Sequence, residues 1–282
     1  MTIETVRVSS RWLELREPAD AAARSAHLVE EVRRSLPSLT GRVGGSGGGL
    51  EIHDLGCGTG SMARWLGPRL DGPQHWVLHD RDADLLLHAA ANPPGEAADG
   101  SVVTVETRRQ DVAWLAPEEL ASADLICASA LLDMMTADEL DSLVASCASV
   151  GCPVLITLSV SGGVELAPAD PLDGDVADAF NLHQRRATAG PDAVRAVADG
   201  FAALGRDVIV WPSPWRLGAE HAELVAQWFA GWLGAACEQR PELDAAAGPY
   251  RRRRLAQVAA GTLSLTLHHE DVLVRPAPPA KT

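Results

Sequence analysis

Three features of the sequence predict a doubly wound α/β fold. Short apolar strand-like segments alternate with helical patterns through the middle of the chain, as in a parallel sheet covered by helices on both faces. The first of these strands (Leu50, Ile52) runs into Asp54 and a turn carrying Gly56, Gly58 and Gly60. Met62, Trp65 and Leu66 then mark one face of a helix. A second carboxylate, Asp80, ends the next strand about 20 residues beyond the turn, the spacing a nucleotide-binding βαβ unit uses. The expected architecture is a mostly parallel seven-stranded sheet with an N-terminal helical extension and insertions after strands five and six.

Each element has its own warrant. Pro18 marks a helix start, and Leu28, Val29, Val32 and Leu36 fall on one side of a helix within residues 10–36. Arg42 to Gly49 is a glycine-rich linker into the first strand. The core then alternates: strand 50–54, helix 60–70, strand 75–79, helix 82–91, strand 102–105, helix 117–121, strand 124–128, helix 136–149 and strand 153–158. A first insertion covers 159–190, before a helix over 191–204 and a strand over 207–211. A second covers 213–262 and holds an amphipathic helix near 219–238. Thr262 to Val274 is the last strand, near the sheet edge, and the proline-rich tail after it reads as disordered. Ligands of such sheets bind outside the carboxyl ends of the strands, so the additions at 10–36, 159–190 and 213–262 are where substrate identity is written.

The glycine turn is a ligand cradle. Without Cβ atoms the backbone can turn sharply and lie against a ligand, while the new helix presents unpaired N–H groups there. Ser61 stands where a dinucleotide fingerprint has its third glycine. The block L-E-I-H-D-L-G-C-G-T-G (50–60) resembles motif I of the class I S-adenosylmethionine (SAM)-dependent methyltransferases. The resemblance implies a seven-stranded sheet whose last strand is antiparallel, SAM as cofactor, Asp54 facing its methionine ammonium, and Gly56, Gly58 and Gly60 as the floor of the site. Asp80, with Arg81 beside it, falls at the ribose, whose two hydroxyls a carboxylate can accept in charge-assisted hydrogen bonds. The family often sets an acid after strand three against the adenine amino group. That implies Asp111 there, with the Val112 N–H on the ring. Ser129 opens the loop S-A-L-L-D, which passes the transferable methyl. Arg16 is a candidate clamp for a cofactor or substrate carboxylate, the other reading being an ion pair with Glu14 or Glu17. Residues 1–49 would form a helical lid and linker, and 50–282 the methyltransferase domain. The blocks W-L-E-L-R-E-P-A-D, A-F-N-L-H-Q-R and S-P-W-R-L also look like those of bacterial methyltransferases. The D/N-P-P-Y/F block of many methyltransferases acting on exocyclic or amide nitrogens is absent after strand four.

The implied reaction is methyl transfer to oxygen or nitrogen of a small-molecule acceptor, in bacterial specialised metabolism. A hydroxyl acceptor needs a base within hydrogen-bond reach. His183 is the first candidate, because imidazole titrates near neutrality and Asn181, Gln184 and Arg185 surround it; the alternative is a helix-surface histidine. Asp133 is the second, its rival role being to cap the helix starting near Thr136, and Glu238 and His221 follow. Asn181, Gln184, Trp215 and Arg216 are the substrate-binding candidates, although Trp215 also suits the core, to which Trp65, Trp228 and Trp232 are assigned. Two other classes stay open: an NAD-dependent oxidoreductase on a Rossmann fold, and a SAM-binding protein without catalysis.

Composition narrows the partners. A net charge of −14 argues against nucleic acid, and the densest basic run, Arg251 to Arg254, reads as a solvated helix face. The five cysteines lack paired metal spacing and fit reduced thiols in the cytoplasm. His268-His269-Glu270-Asp271 looks metal-like, yet successive strand residues point to opposite faces, so no metal is expected there. No apolar run is long enough to span a bilayer and the start of the chain lacks a signal-peptide pattern, so no membrane partner is expected.

Overall fold

The computed structural model describes residues 8–36 and 49–276. The expected linker, apart from Gly49, and the tail beyond Pro276 lie outside these residues. The central sheet has the order β3-β2-β1-β4-β5-β8-β6. Its strands are β1 (Leu50–Leu55), β2 (Gln74–Asp80), β3 (Val103–Arg109), β4 (Leu125–Ser129), β5 (Val154–Ala167), β6 (Val208–Pro212) and β8 (Ser264–Val274). Strands β3 to β5 run parallel, while β8 lies antiparallel between β5 and β6. The order reverses between β1 and β4, and a crevice opens at such a switch point beyond the carboxyl ends of the strands. The seven-stranded expectation holds, with one addition: a short strand β7 (Trp215–Leu217) pairs with the first half of β8.

Helices cover both faces. One face carries α5 (Ala137–Val150) and α7 (Ala193–Ala203), whose Leu140, Leu143, Val197 and Phe201 are buried against Ile126, Ile156 and Val272. On the other lie α2 (Ala26–Ser35), α3 (Ser61–Leu66) and α4 (Ala83–Ala91). Leu28, Val29 and Val32 of α2 are buried as their spacing predicts, each burial contributing about 1.5–3 kcal/mol. The N-terminal segment is two helices, not one starting at Pro18. The first, α1 (Ser10–Ala23), is capped by the Ser9 side chain and contains Pro18; α2 is capped in turn by Ser25.

The first insertion begins as strand. β5 runs nine residues past its expected end, through Ser159–Ala167, into the expected insertion. Two register shifts against β8, between Ile156 and Ser159 and between Val160 and Val164, absorb the irregularity. Leu158 and Gly162 take positive φ there, 58° and 86°; a Cβ on Gly162 would come within 2.9 Å of Pro191. The far halves of β5 and β8, with β7, thus extend the sheet into a second layer. That layer packs against α1, α6 (Asp173–Gln184), α8 (Ala222–Gln239) and α9 (Asp244–Ala259) around Trp215, Phe229, Trp232 and Tyr250. The arginine run is not wholly a solvated face: Arg254 is 1 % exposed, pairs with Asp173 and donates to the Pro168 carbonyl.

Candidate active site

A cavity of about 740 Å³ opens over the switch point and reaches up into the second layer. That is within the range of ligand pockets, and wide enough for a nucleotide-sized molecule with a second small one. Its floor is the turn after β1. Gly56, Gly58 and Gly60 all take positive φ, a conformation a side chain would strain. Gly56 and Gly58 line the cavity, whereas Gly60 serves the turn below, where a Cβ would meet Ala89 at 3.3 Å.

Asp54 is the anomaly of the site. It is fully buried, and neither carboxylate oxygen has a hydrogen-bond partner. Burial raises its pKa to about 7, against the lowering pull of Arg24. A buried carboxylate without donors costs free energy unless a ligand supplies them. Asp80 accepts from the Gly58 N–H at 2.9 Å and the Asp82 N–H at 2.8 Å, so it braces the glycine turn while lining the cavity. Arg81, Asp111, Val112 and Ser129 line the cavity as well. Asp111 also caps the short 3-10 turn Val112–Trp114 through Ala113.

Arg24 was not foreseen. It sits 4 % exposed where α1 meets α2, stacks on Trp65 at 5.4 Å, and donates from Nη2 to Ser61 Oγ (3.1 Å) and Ser129 Oγ (3.0 Å). Its Nε and Nη1 have no partner, and burial lowers its pKa while Asp20 opposes the shift. A buried cation with open donors therefore lies in the field of a buried anion with open acceptors. An arginine at a helix junction carries no sequence pattern that signals this.

The other candidates divide. Arg16 lines the cavity, but its partner is Asp20, held through Nε at 2.9 Å and Nη2 at 3.1 Å, rather than Glu14 or Glu17. Glu17 instead pairs with Arg64, which donates to the Thr59 carbonyl and so ties α1 to the glycine turn. Asp133 lines the cavity and burial raises its pKa. Its capping alternative falls away, because Thr136 caps α5 in a box with Glu139. Trp215 lines the cavity although only 2 % exposed, with its Nε1 donating to Asp20.

His183 does not reach the cavity. It stands a turn beyond Phe180 on α6 and faces Glu238 of α8 at 3.2 Å, on the surface. Asn181 turns instead to the Gly162 carbonyl at 3.0 Å, and Gln184 packs beside Gly190; neither lines the cavity. Arg216 is exposed because strand alternation turns it away from the side Trp215 and Leu217 bury. Trp228, assigned to the core, lines the cavity. The same alternation splits the 268–271 run: His269 and Asp271 are buried, while His268 turns out to Glu165. Asp271 joins the layers, accepting from the Ser25 and Leu158 amides, each at 2.8 Å. Among the described residues no cluster of three or more ligands could hold a metal.

Residues 52–153 match a protein-family model described as a methyltransferase domain. The matched stretch, from β1 to the entry of β5, is thus a methyltransferase domain, and it holds the glycine turn, Asp80, Asp111 and Ser129. Solved structures similar to this chain include the cyclopropane synthase MmaA2 from Mycobacterium tuberculosis, at 13 % identity, TM-score 0.48, and 95 % coverage of both chains. Phosphoethanolamine N-methyltransferase 2 from Haemonchus contortus, bound to SAM, is 14 % identical with a TM-score of 0.41 over 94 % of this chain and 57 % of its own. No curated protein matches the chain by sequence.

Proposed function

We propose that this protein transfers the methyl group of SAM to an oxygen or nitrogen of a small molecule, in bacterial specialised metabolism. One observation carries the reading: the glycine turn and an aromatic-lined chamber are two ends of a single cavity, with Asp133 on its wall. When bound, SAM supplies a methyl group activated by its sulfonium. The open oxygens of Asp54 suit the ammonium of the cofactor's amino-acid end. Ser61 and Ser129, each accepting from Arg24, keep their own O–H groups to donate to its carboxylate. Asp80 takes the ribose hydroxyls, Arg81 flanks them, and Asp111 and Val112 take the adenine. α1 acts as a lid through Trp12, Leu13 and Arg16.

Asp133 replaces His183 as the base. Its carboxylate lines the cavity and receives no hydrogen bond from another described residue. Burial makes it a stronger proton acceptor than an ordinary aspartate, so it can take the acceptor's proton as the new bond forms. The five cysteines are unpaired, which supports a reducing compartment such as the cytoplasm.

The test is turnover. Protein and SAM would be incubated with a panel of small hydroxyl and amine compounds, and methylated product and S-adenosylhomocysteine measured by mass spectrometry. Product and demethylated cofactor should appear in equal amounts. Asp133→Asn should lower turnover by about 10²–10⁴-fold, with homocysteine-cofactor affinity kept. Failure to methylate any compound would favour a SAM-binding protein without catalysis. Undiminished turnover in Asp133→Asn would move the base elsewhere.

A further inference from the structure

The upper end of the cavity has a chemistry that selects its ligand. Aromatic residues are 4 % of the chain, yet Trp12, Phe180, Trp215 and Trp228 line this end together. They come from α1, α6, β7 and α8, so the concentration arises from tertiary packing and follows no helical stripe. Flat apolar walls of this kind favour a planar partner, which can stack on them with little loss of conformational freedom.

One polar group in this chamber has a fixed sense. His269 is 2 % exposed and lines the cavity. Its Nδ1 faces the Leu267 carbonyl at 3.1 Å. A carbonyl only accepts, so the ring proton sits on Nδ1 and Nε2 carries the lone pair. No described residue donates to Nε2. Burial, with the Arg16 charge adding to it, pushes the ring's pKa down to about 3, so the imidazole stays neutral at ordinary pH. His269 is therefore a standing acceptor rather than a base.

The charges nearby point the same way. Arg16, whose guanidinium lies 5.0 Å from the Trp215 ring, is held on both sides of its fork by Asp20. Its charge is thus largely answered before any ligand arrives. Asp133 adds a second acceptor to the wall. A carboxylate or phosphate ligand would meet lone pairs and an occupied arginine; a neutral O–H or N–H would meet an acceptor left open for it.

We propose that this chamber binds a planar aromatic acceptor molecule through an O–H or N–H donated to His269 Nε2, with Trp228 and Trp12 stacking on its ring. The proposal rests on the methyltransferase reading for its biological sense, but the binding preference can be measured without turnover. His269 is then a positioning residue for a donor other than the reacting group, whose proton Asp133 takes.

The experiment is calorimetric titration of the full chain, saturated with S-adenosylhomocysteine, with four probes. These are 2-naphthol, its methyl ether, 2-naphthoate, and the saturated decahydro-2-naphthol. Naphthol should bind at least about tenfold more tightly than the ether and the carboxylate, since neither of those presents a donor to the open lone pair. The saturated analogue should also bind more weakly, for want of a flat face. H269L should erase the preference for naphthol over its ether, whereas H269Q, which can offer its carbonyl oxygen, should keep part of it. W228A should weaken naphthol most. Equal binding of naphthol and ether by the native protein, or an unchanged preference in H269L that still binds S-adenosylhomocysteine normally, would overturn the proposal. If H269L fails to fold, the native ordering with H269Q and W228A decides. A native protein that binds no S-adenosylhomocysteine would defeat the cofactor reading instead, and the probe ordering could then be read on the protein alone.

Discussion

The two ends of the cavity are built on different principles. At the cofactor end the acids and Ser129 come from the ends of parallel strands: Asp54 lies next to the last residue of β1, Asp80 ends β2, Asp111 follows β3 and Ser129 ends β4. At the other end Trp12 and Arg16 from the start of the chain meet Trp215, Trp228 and His269 from its last third. The first arrangement is local and repeats with each βα unit. The second exists only because β5 and β8 outrun the sheet and give α1, α6 and α8 a platform. A cofactor site can therefore be strong where a substrate site is adaptable, since the second layer can change without touching the strand ends.

The largest expected effect separates the two ends through Asp54. Asp54→Asn should weaken S-adenosylhomocysteine binding about a hundredfold, the cost of losing one partner of a buried charge pair, with naphthol binding unaffected. The native affinity should itself fall as pH drops below about 7, because the protonated carboxyl must lose its proton before it can face an ammonium. The sign for stability is the reverse. A carboxyl with a raised folded-state pKa favours the free protein at low pH, and that contribution is lost as pH rises through 7. Asp54→Asn should accordingly raise the melting temperature of the ligand-free protein most at pH 8. Calorimetry and thermal melts from pH 5.5 to 8 test both halves; a pH-independent native affinity would deny Asp54 the ammonium.

A smaller loss, tenfold or more, is expected at Asp80. On the proposed reading Asp80→Ala removes ribose hydrogen bonds, and it also takes an acceptor from the Gly58 and Asp82 amides, so the glycine turn loosens as well. Titration with adenosine alone isolates the ribose share. If adenosine binds the variant as well as the native protein, Asp80 serves the turn and not the sugar.

The smallest effect is expected at His183. Its pair with Glu238 lies on the surface, and such pairs contribute about 0–1 kcal/mol. His183→Ala should leave S-adenosylhomocysteine affinity, naphthol affinity and turnover within about twofold. A larger fall in turnover would return His183 to the reaction and require α6 to move.

How far the residues could be read in advance follows from this contrast. The alternation of strands and helices, the glycine turn and the spacing to Asp80 depend on neighbours close in sequence, and they were found. The placing of His183 was not, because a polar neighbourhood in sequence says nothing about which way α6 faces. Trp215 and Arg216 were both substrate-binding candidates, although adjacent strand residues point apart. The same alternation argued against a metal at 268–271. It also held the missed signal: Leu265, Leu267, His269, Asp271 and Leu273 share the buried side of β8.

By itself the sequence determined the doubly wound core and the place of the cofactor loop, because hydrophobic period and turn chemistry act over a few residues. It also determined which acids end the parallel strands. Only the tertiary structure decided that Arg24 would be buried beside Asp54, that Asp133 would stand free on the cavity wall, and that His269 would close a chamber of tryptophans. Each of those outcomes depends on segments far apart in the chain meeting at one place. Burial then sets their charge and hydrogen bonding, and burial is a property of the assembled layers.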